Sequence, residues 1–471
     1  MGHLSILRAY FTDTRSLRVI LFLAIPAMIE NLLQVFIGVV DIFFVGRLGT
    51  KAIAGVGITN LTMNVYIGFF MALGIGTTAL VSRFIGAGDE EQANNTVRQS
   101  LLLSLIVGIC FGILNLFYAR KILSLLGADS SVIEYALPYF IAVAVPSIIL
   151  CLNMVLSSAL RAAGDTKTPM KAAVVANILN AFLDYILIFG LFNFNGLGIL
   201  GAGLATTFSR MVSLGLLVSR LRTHGTLIKL DFKRRWKGDL ALLKSLISIS
   251  FPAAVERLIM RSGQLIYGGM IIAIGTQAYA AHNIAGTIET FSYLPGMGFG
   301  IAAATLVGQS LGKGNETEAR RLGMLSYLLS SCFMVVVGFI FFVFAPFLAK
   351  LFSEDAQVIN QVVQVLRIIA FFQPFLCITL VITSCLQGAG DTKFPMYSSL
   401  IGIWGVRVLG VYILSVRLGF GLVGVWSAYA IDITVRGIIL MSRFQGKWKQ
   451  RIVPEPKTSS NVAQSSLQLI D

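Results

Sequence analysis

Charge is what this chain has least of: 13% of its 471 residues are charged and 56% are hydrophobic, where a soluble domain carries about 25% charged residues. That shortage excludes a soluble globular enzyme and places the chain in a bilayer. Cysteine is sparse as well. Cys110, Cys151, Cys332, Cys377 and Cys385 sit in apolar stretches without Cys-x-x-Cys spacing, which argues against thiolate metal sites and disulfides and leaves them as small hydrophobes. The 3 histidines, His282 among them, show no metal-ligand spacing, and neither a phosphate-binding loop nor a nucleophile elbow occurs. An intramembrane enzyme would need one of these constellations, so no enzymatic activity and no cofactor are expected.

Present instead are long apolar runs, such as 52–82, 101–118, 135–160, 322–349 and 368–390, each near or above the roughly 20 residues that cross the hydrocarbon core. Twelve spans follow, near 17–45, 53–82, 96–119, 132–160, 168–192, 198–222, 243–273, 278–308, 321–349, 357–386, 396–416 and 421–444. About 25 Lys and Arg fall on the side of the termini, against Arg47, Lys51, Arg120, Lys121, Lys350 and Arg417 on the other, which predicts cytoplasmic termini in a cell (inner) membrane. The net charge of +15 is accounted for by these loops facing lipid headgroups and implies no nucleic acid. The first apolar run, from Val19, carries no Ala-x-Ala site, so no cleavable signal is expected.

The chain is also duplicated. Ser158-Ala-Leu-Arg-Ala-Ala-Gly-Asp-Thr-Lys-Thr-Pro-Met170 returns as Ser384-Cys-Leu-Gln-Gly-Ala-Gly-Asp-Thr-Lys-Phe-Pro-Met396, displaced by 226. The segments at 24–33 and 81–93 return at 250–259 and 307–319 with the same displacement. A unit of about 200 residues is far longer than a solenoid repeat. With six spans each, the two halves enter the membrane from the same side, in the parallel-repeat arrangement of transporters. The expected fold is therefore all-α, with twelve transmembrane helices in two pseudo-twofold-related lobes around a central cleft. We divide it into an N-lobe (1–222), a basic-aromatic linker lying on the inner leaflet (223–243), a C-lobe (244–445) and a disordered tail (446–471). The Gly-Asp-Thr-Lys repeats read as turns between helices, with hinge points near Gly164 and Gly390.

Ionisable groups at bilayer depth are costly unless paired or facing water, and so mark function. Glu30, Gln34 and Asp41 share one stripe of the first span, and Asn177, Asn180 and Asp184 share one face of the fifth, by the helical period. Asp41 and Asp184 fall at similar depth in the outer half and form a candidate site for one cation, Na⁺ or a proton. The structural alternative is an ion pair with Arg210 that fixes helix packing. Gln34, Asn153, Asn177, Glu256 and Glu289 are the candidate lining of a substrate cavity. The second lobe is richer in cations: Asp432 and Arg436 read as an i,i+4 pair, Glu256, the counterpart of Glu30, reads as a partner for nearby arginines, and Tyr267 stands where the first lobe has Asp41. Pro26, on the helix of Asp41, is a candidate kink, as are Pro146, Pro252, Pro295 and Pro374.

Asp41-Ile-Phe-Phe-Val-Gly-Arg-Leu-Gly-Thr50 after its Pro-Ala-Met-Ile-Glu-Asn opening, the Asn-Ile-Leu-Asn-Ala-Phe-Leu-Asp-Tyr pattern, Gly198–Thr206 and Leu294–Gln309 together resemble the prokaryotic multidrug and toxic compound extrusion (MATE) family, over about residues 17–445. The resemblance implies a secondary active exporter that exchanges amphipathic organic cations or toxic compounds for H⁺ or Na⁺ by alternating access, as a monomer. It also implies that Asp41, Asn180, Asp184 and Thr206 hold the coupling ion, with no other metal. The tenth span has Arg367 where one branch of the family places a coupling acid, and Tyr185 follows Asp184 where some members have Pro. Both departures favour coupling in the first lobe. A lipid-linked oligosaccharide flippase of the same superfamily is the alternative, and the second-lobe arginines are what speaks for it.

Overall fold

The computed structural model describes residues 13–191, 194–223, 227–230 and 238–446. Its first lobe consists of α1 (Thr14–Gly46), α2 (Thr50–Gly86), α3 (Glu90–Leu125), α4 (Ser130–Ala144), α5 (Ser147–Ala162), α6 (Lys167–Phe189) and α7 (Ile199–Arg222). The second consists of α8 (Leu240–Ile274), α9 (Thr276–Gly312), α10 (Glu316–Lys350), α11 (Ala356–Phe371), α12 (Gln373–Gly388), α13 (Lys393–Leu400) and α14 (Gly421–Gln445). Polar residues punctuate this apolar chain at helix starts: Asp89, Asp129 and Asn315 accept from the backbone N–H groups of Gln92, Val132 and Glu318 at 3.0, 2.8 and 2.9 Å, satisfying donors that a helix leaves open.

Nine described helices are long and apolar enough to cross a membrane, and two bent pairs complete eleven spans: α4–α5, broken by 41°, and α11–α12, broken by 59°. The twelfth is α8, 35 residues long, whose Lys244, Glu256, Arg257 and Arg261 lower its hydropathy. Prolines mark both breaks, Pro146 just before α5 and Pro374 in the first turn of α12, whereas Pro26, Pro252 and Pro295 lie inside continuous helices. Two features go beyond the expected spans. The turn after α6 is a short antiparallel ribbon, Gly190 opposite Asn195 and Leu191 opposite Phe194. The eleventh span leaves α-geometry after Leu400 and continues as π-helix over Ile401–Val408 and Val411–Arg417.

The duplicated motif forms the same device in each lobe. Gly164 and Gly390 take φ of 90° and 85°, Asp165 and Asp391 cap the next helix through Thr168 N and Phe394 N, and the same acids pair with Arg220 and Arg443. Thr166 Oγ1 donates to Phe22 O at 3.4 Å. That carbonyl, four residues before Pro26, is the one deprived of its helical donor. In the second lobe Thr392 Oγ1 donates to Ile249 O at 2.7 Å, beside Pro252.

Each lobe has its own apolar core, but the first half of α1 crosses over. Ile20, Leu23 and Ala24 pack within the second-lobe core, and Gly298 of α9 lies against Ala24 O and Met28. The lobes meet at the end of the bundle that carries the termini. There Thr305 Oγ1 donates to Arg161 O at 3.2 Å, Gln309 Nε2 donates to Ala162 O at 2.9 Å, and Arg321 pairs with Asp13. Backbone touches backbone there: a Cβ on Gly86 would overlap the Gln309 carbonyl, and one on Gly312 the Arg83 carbonyl. Among the described residues no hydrogen bond joins the lobes at the opposite end. The cleft therefore opens away from the termini.

The described part of the segment between the lobes docks on the first lobe. Ile228 and Leu230 are buried in that lobe's core, and Lys229 N donates to Asn94 Oδ1 at 2.7 Å. The tail beyond Gly446 lies outside the described residues.

Candidate functional site

Between the lobes lies a cavity of about 640 Å³, a size that suits a drug-like molecule. Gln34, Asn153, Glu256 and Glu289 lie on its wall, as the sequence suggests. Asn177 does not line it: its amide Nδ2 donates to Ala173 O at 2.8 Å on its own helix. Asn153 is held in place by donating from Nδ2 to Ile149 O and to Arg210 O at 3.0 and 2.8 Å.

Asp41, Asn180, Asp184 and Thr206 come together behind that wall, from α1, α6 and α7, each at most 5% exposed. Asn180 and Asp184 flank Asp41, and Thr206 Oγ1 lies 3.4 Å from Asp41 Oδ2 and 3.0 Å from Ala202 O. Asp41 Oδ1, both Asp184 oxygens and both polar atoms of the Asn180 amide have no hydrogen-bond partner. Buried acceptors left in this way cost free energy unless something fills the gap between them. Arg210, proposed above as their structural partner, is near enough for its charge to act on Asp41, but neither aspartate forms an ion pair among the described residues. The donor set is all oxygen with one amide, which fits Na⁺ or a shared proton.

The other acids on the wall are already occupied. Glu30 takes both its contacts from Arg161 Nη1 at 2.7 and 2.9 Å. Its counterpart Glu256 meets neutral donors rather than the arginine expected, Gln387 Nε2 and Ser399 Oγ, both at 3.1 Å, because the repeat places Gln387 where the first lobe has Arg161. Glu289 accepts from Tyr429 OH at 2.8 Å. Asp432 pairs with Arg436 through Nε–Oδ1 at 2.8 Å, as its i,i+4 spacing predicts, and also with Arg407 through Nε–Oδ2 at 2.8 Å. The second partner was beyond sequence reasoning: it comes from the neighbouring span, and its register depends on the π-helical stretch.

Two matched lobes of six spans around a cavity open to one side define a membrane transporter. The chain belongs to the MatE family: the family's sequence profile matches residues 26–186 and again 252–413. A probable multidrug resistance protein NorM from Thermotoga maritima is 32% identical over 92% of this chain and 93% of its own length. An uncharacterized transporter, YisQ, from Bacillus subtilis is 27% identical over 91% and 93%. Among solved structures, an outward-facing multidrug resistance MATE family transporter superimposes with a TM-score of 0.84 at 26% identity, covering 90% of this chain and 95% of that one. A MOP superfamily transporter from Pyrococcus furiosus, described as having a binding pocket of reversed polarity that suggests a different function, does so with 0.84 and 26% over 91% and 96%.

Proposed function

We propose that this protein is a secondary active exporter of amphipathic small organic compounds, organic cations among them, that exchanges them for H⁺ or Na⁺ across the cell (inner) membrane. It acts as a monomer with cytoplasmic termini. The observation that carries this reading is the set of orphaned acceptors on Asp41, Asn180 and Asp184 beside a cavity that opens away from the termini. An entering ion cancels one negative charge of the pair, and the loss of negative charge behind the wall weakens the hold on a cationic cargo. Ion and cargo thus oppose each other, and the linkage is reciprocal. An inward gradient supplies about 2.3 kcal/mol per charge for each 100 mV. The lobes then separate at the seam near the termini and close at the other end.

Proteoliposomes loaded with ethidium and given an imposed pH or Na⁺ gradient test this. Gradient-driven efflux is expected from the parent protein, while Asp41→Asn and Asp184→Asn each reduce it to the level of empty liposomes with the protein still folded, and Asn180→Ala weakens it less. Normal coupled transport by both aspartate variants would move the ion site to Glu256 or Glu289. The reversed pocket polarity of the Pyrococcus furiosus relative and this chain's own cavity arginines keep the flippase reading in view. Movement of a lipid pyrophosphate-linked glycan across the same bilayer, without ethidium efflux, is the result that selects it.

A further inference from the structure

The repeat registers differently at its end than at its start. Gly201 abuts the Leu187 carbonyl and Ile188 N, and Gly424 abuts the matching atoms of Leu414 and Ser415, so the displacement is 227 on the eleventh span (Leu187 to Leu414) and 223 on the twelfth (Gly201 to Gly424). The π-helical stretch absorbs the additional residue. On this register the second-lobe counterparts of Asp41, Asn180, Asp184 and Thr206 are Tyr267, Arg407, Val411 and Tyr429. The geometry agrees: the Arg407 guanidinium lies 5.7 Å from the Tyr267 ring centre and 4.1 Å from that of Tyr429. Where the first lobe gathers oxygens, the second holds a cation of its own.

Around that cation the rings form a continuous wall of the cavity. Tyr267 meets His282 at 6.3 Å, His282 meets Trp426 at 5.7 Å, and Trp426 meets Tyr429 at 5.6 Å. Two guanidinium groups, Arg407 and Arg436, share the single carboxylate of Asp432. Both arginines line the cavity, and among the described residues neither has a hydrogen bond from Nη1. The orphaned atoms also differ in balance between the two sites. The aspartates of the first lobe leave acceptors unpaired beside one unpaired amide, Asn180, whereas on the second-lobe wall Trp426 Nε1, on a residue 2% exposed, and Arg257 Nε are unpaired and can only donate, beside His282 Nδ1, which donates or accepts by tautomer. Acceptors call for a cation, and donors beside two guanidinium groups that share one carboxylate call for an anion. Glu289 is on this wall too, but its Oε1 already accepts from Tyr429. Over the whole cavity, Arg161, Arg210, Arg257, Arg407 and Arg436 face Glu30, Glu256 and Glu289, while Asp41, Asp184 and Asp432 stay behind the wall.

We propose that the second-lobe wall is a binding site for the anionic group of an amphipathic aromatic acid. The guanidinium groups of Arg407 and Arg436 hold the carboxylate or sulfonate, and Tyr267, His282 and Trp426 hold the ring system. This deepens the exporter reading and rests on it for the purpose of the cavity. Isothermal titration calorimetry of purified protein in detergent with 2-naphthoate tests it, with 2-naphthylmethylammonium as the cationic counterpart. Saturable binding of naphthoate is expected, weakened at least about tenfold in Arg407→Gln, the loss of one charge-assisted contact, and weakened also in Tyr267→Leu. If Arg407→Gln does not fold, Arg436→Gln, which keeps the Arg407–Asp432 pair, carries the same expectation. Absence of saturable naphthoate binding, or equal binding by the folded arginine variants, overturns the proposal. Ethidium efflux from proteoliposomes of the parent protein reports separately: naphthoate binding without efflux removes the exporter reading and leaves the anion site, and efflux without naphthoate binding does the reverse.

Discussion

Asp432 is fully buried and, among the described residues, is the carboxylate that ion-pairs with both Arg407 and Arg436. Removing its charge leaves two buried guanidinium groups without their ion-pair partner, and breaking a buried pair in this way costs about 3–5 kcal/mol. Asp432→Asn is therefore expected to lower thermal stability severely, read as loss of the monodisperse peak after heating. Arg407→Gln is expected to cost less, because Arg436 still holds the carboxylate. The sequence shows half of this triad, the i,i+4 pair, since helical spacing fixes who is near whom on one helix. It cannot show Arg407, which arrives from another helix. Asp41 and Asp184 were legible for a different reason: an acid in an apolar span stands out whatever its partner, and matched depth follows from counting residues to the outer turns. Asn177 misled because shared helical face does not distinguish an amide aimed at a neighbour from one bonded to its own backbone.

The twelve spans were readable as elements because hydrophobic length is what a bilayer demands. The bends at α5 and α12 were readable as prolines, although Pro26 and Pro252 look the same in sequence and leave their helices continuous. In the first lobe Thr166 compensates part of what Pro26 removes, its hydroxyl reaching the Phe22 carbonyl that the proline leaves without a helical donor. Replacing Thr166 by Val removes that donor and leaves the Phe22 carbonyl unpaired, at a cost of about 1 kcal/mol. We expect Thr166→Val to lower the melting temperature by a few degrees, with Thr166→Ser close to the parent. An unchanged melting temperature in Thr166→Val would mean that the turn alone sets the geometry. The π-helical stretch left no trace in hydropathy, because an apolar run reads alike whether its backbone bonds span four residues or five. It follows that the 226-residue rule, valid from Pro26 to Met170, gives wrong counterparts beyond Leu400.

For the molecule as a whole, the present state is closed near the termini and open at the other end. Ala162→Cys with Gln309→Cys, at the seam where the Gln309 side chain reaches the Ala162 carbonyl, in a chain whose five cysteines are replaced, is expected to stop ethidium efflux when bridged by a short bis-methanethiosulfonate, until a reductant is added. Full transport by the bridged protein would exclude lobe motion at this seam.

At its tightest points, Gly86 and Gly312, the seam is glycine against main chain, beside the side chains of Gln309 and Arg321 that reach across it. It is also where the molecule is most exposed to genetic accident. Glycine to alanine, a single methyl group, would act there as a wedge. Far from both cavity and buried acids, one such change would abolish transport while leaving every ligand-binding group in place.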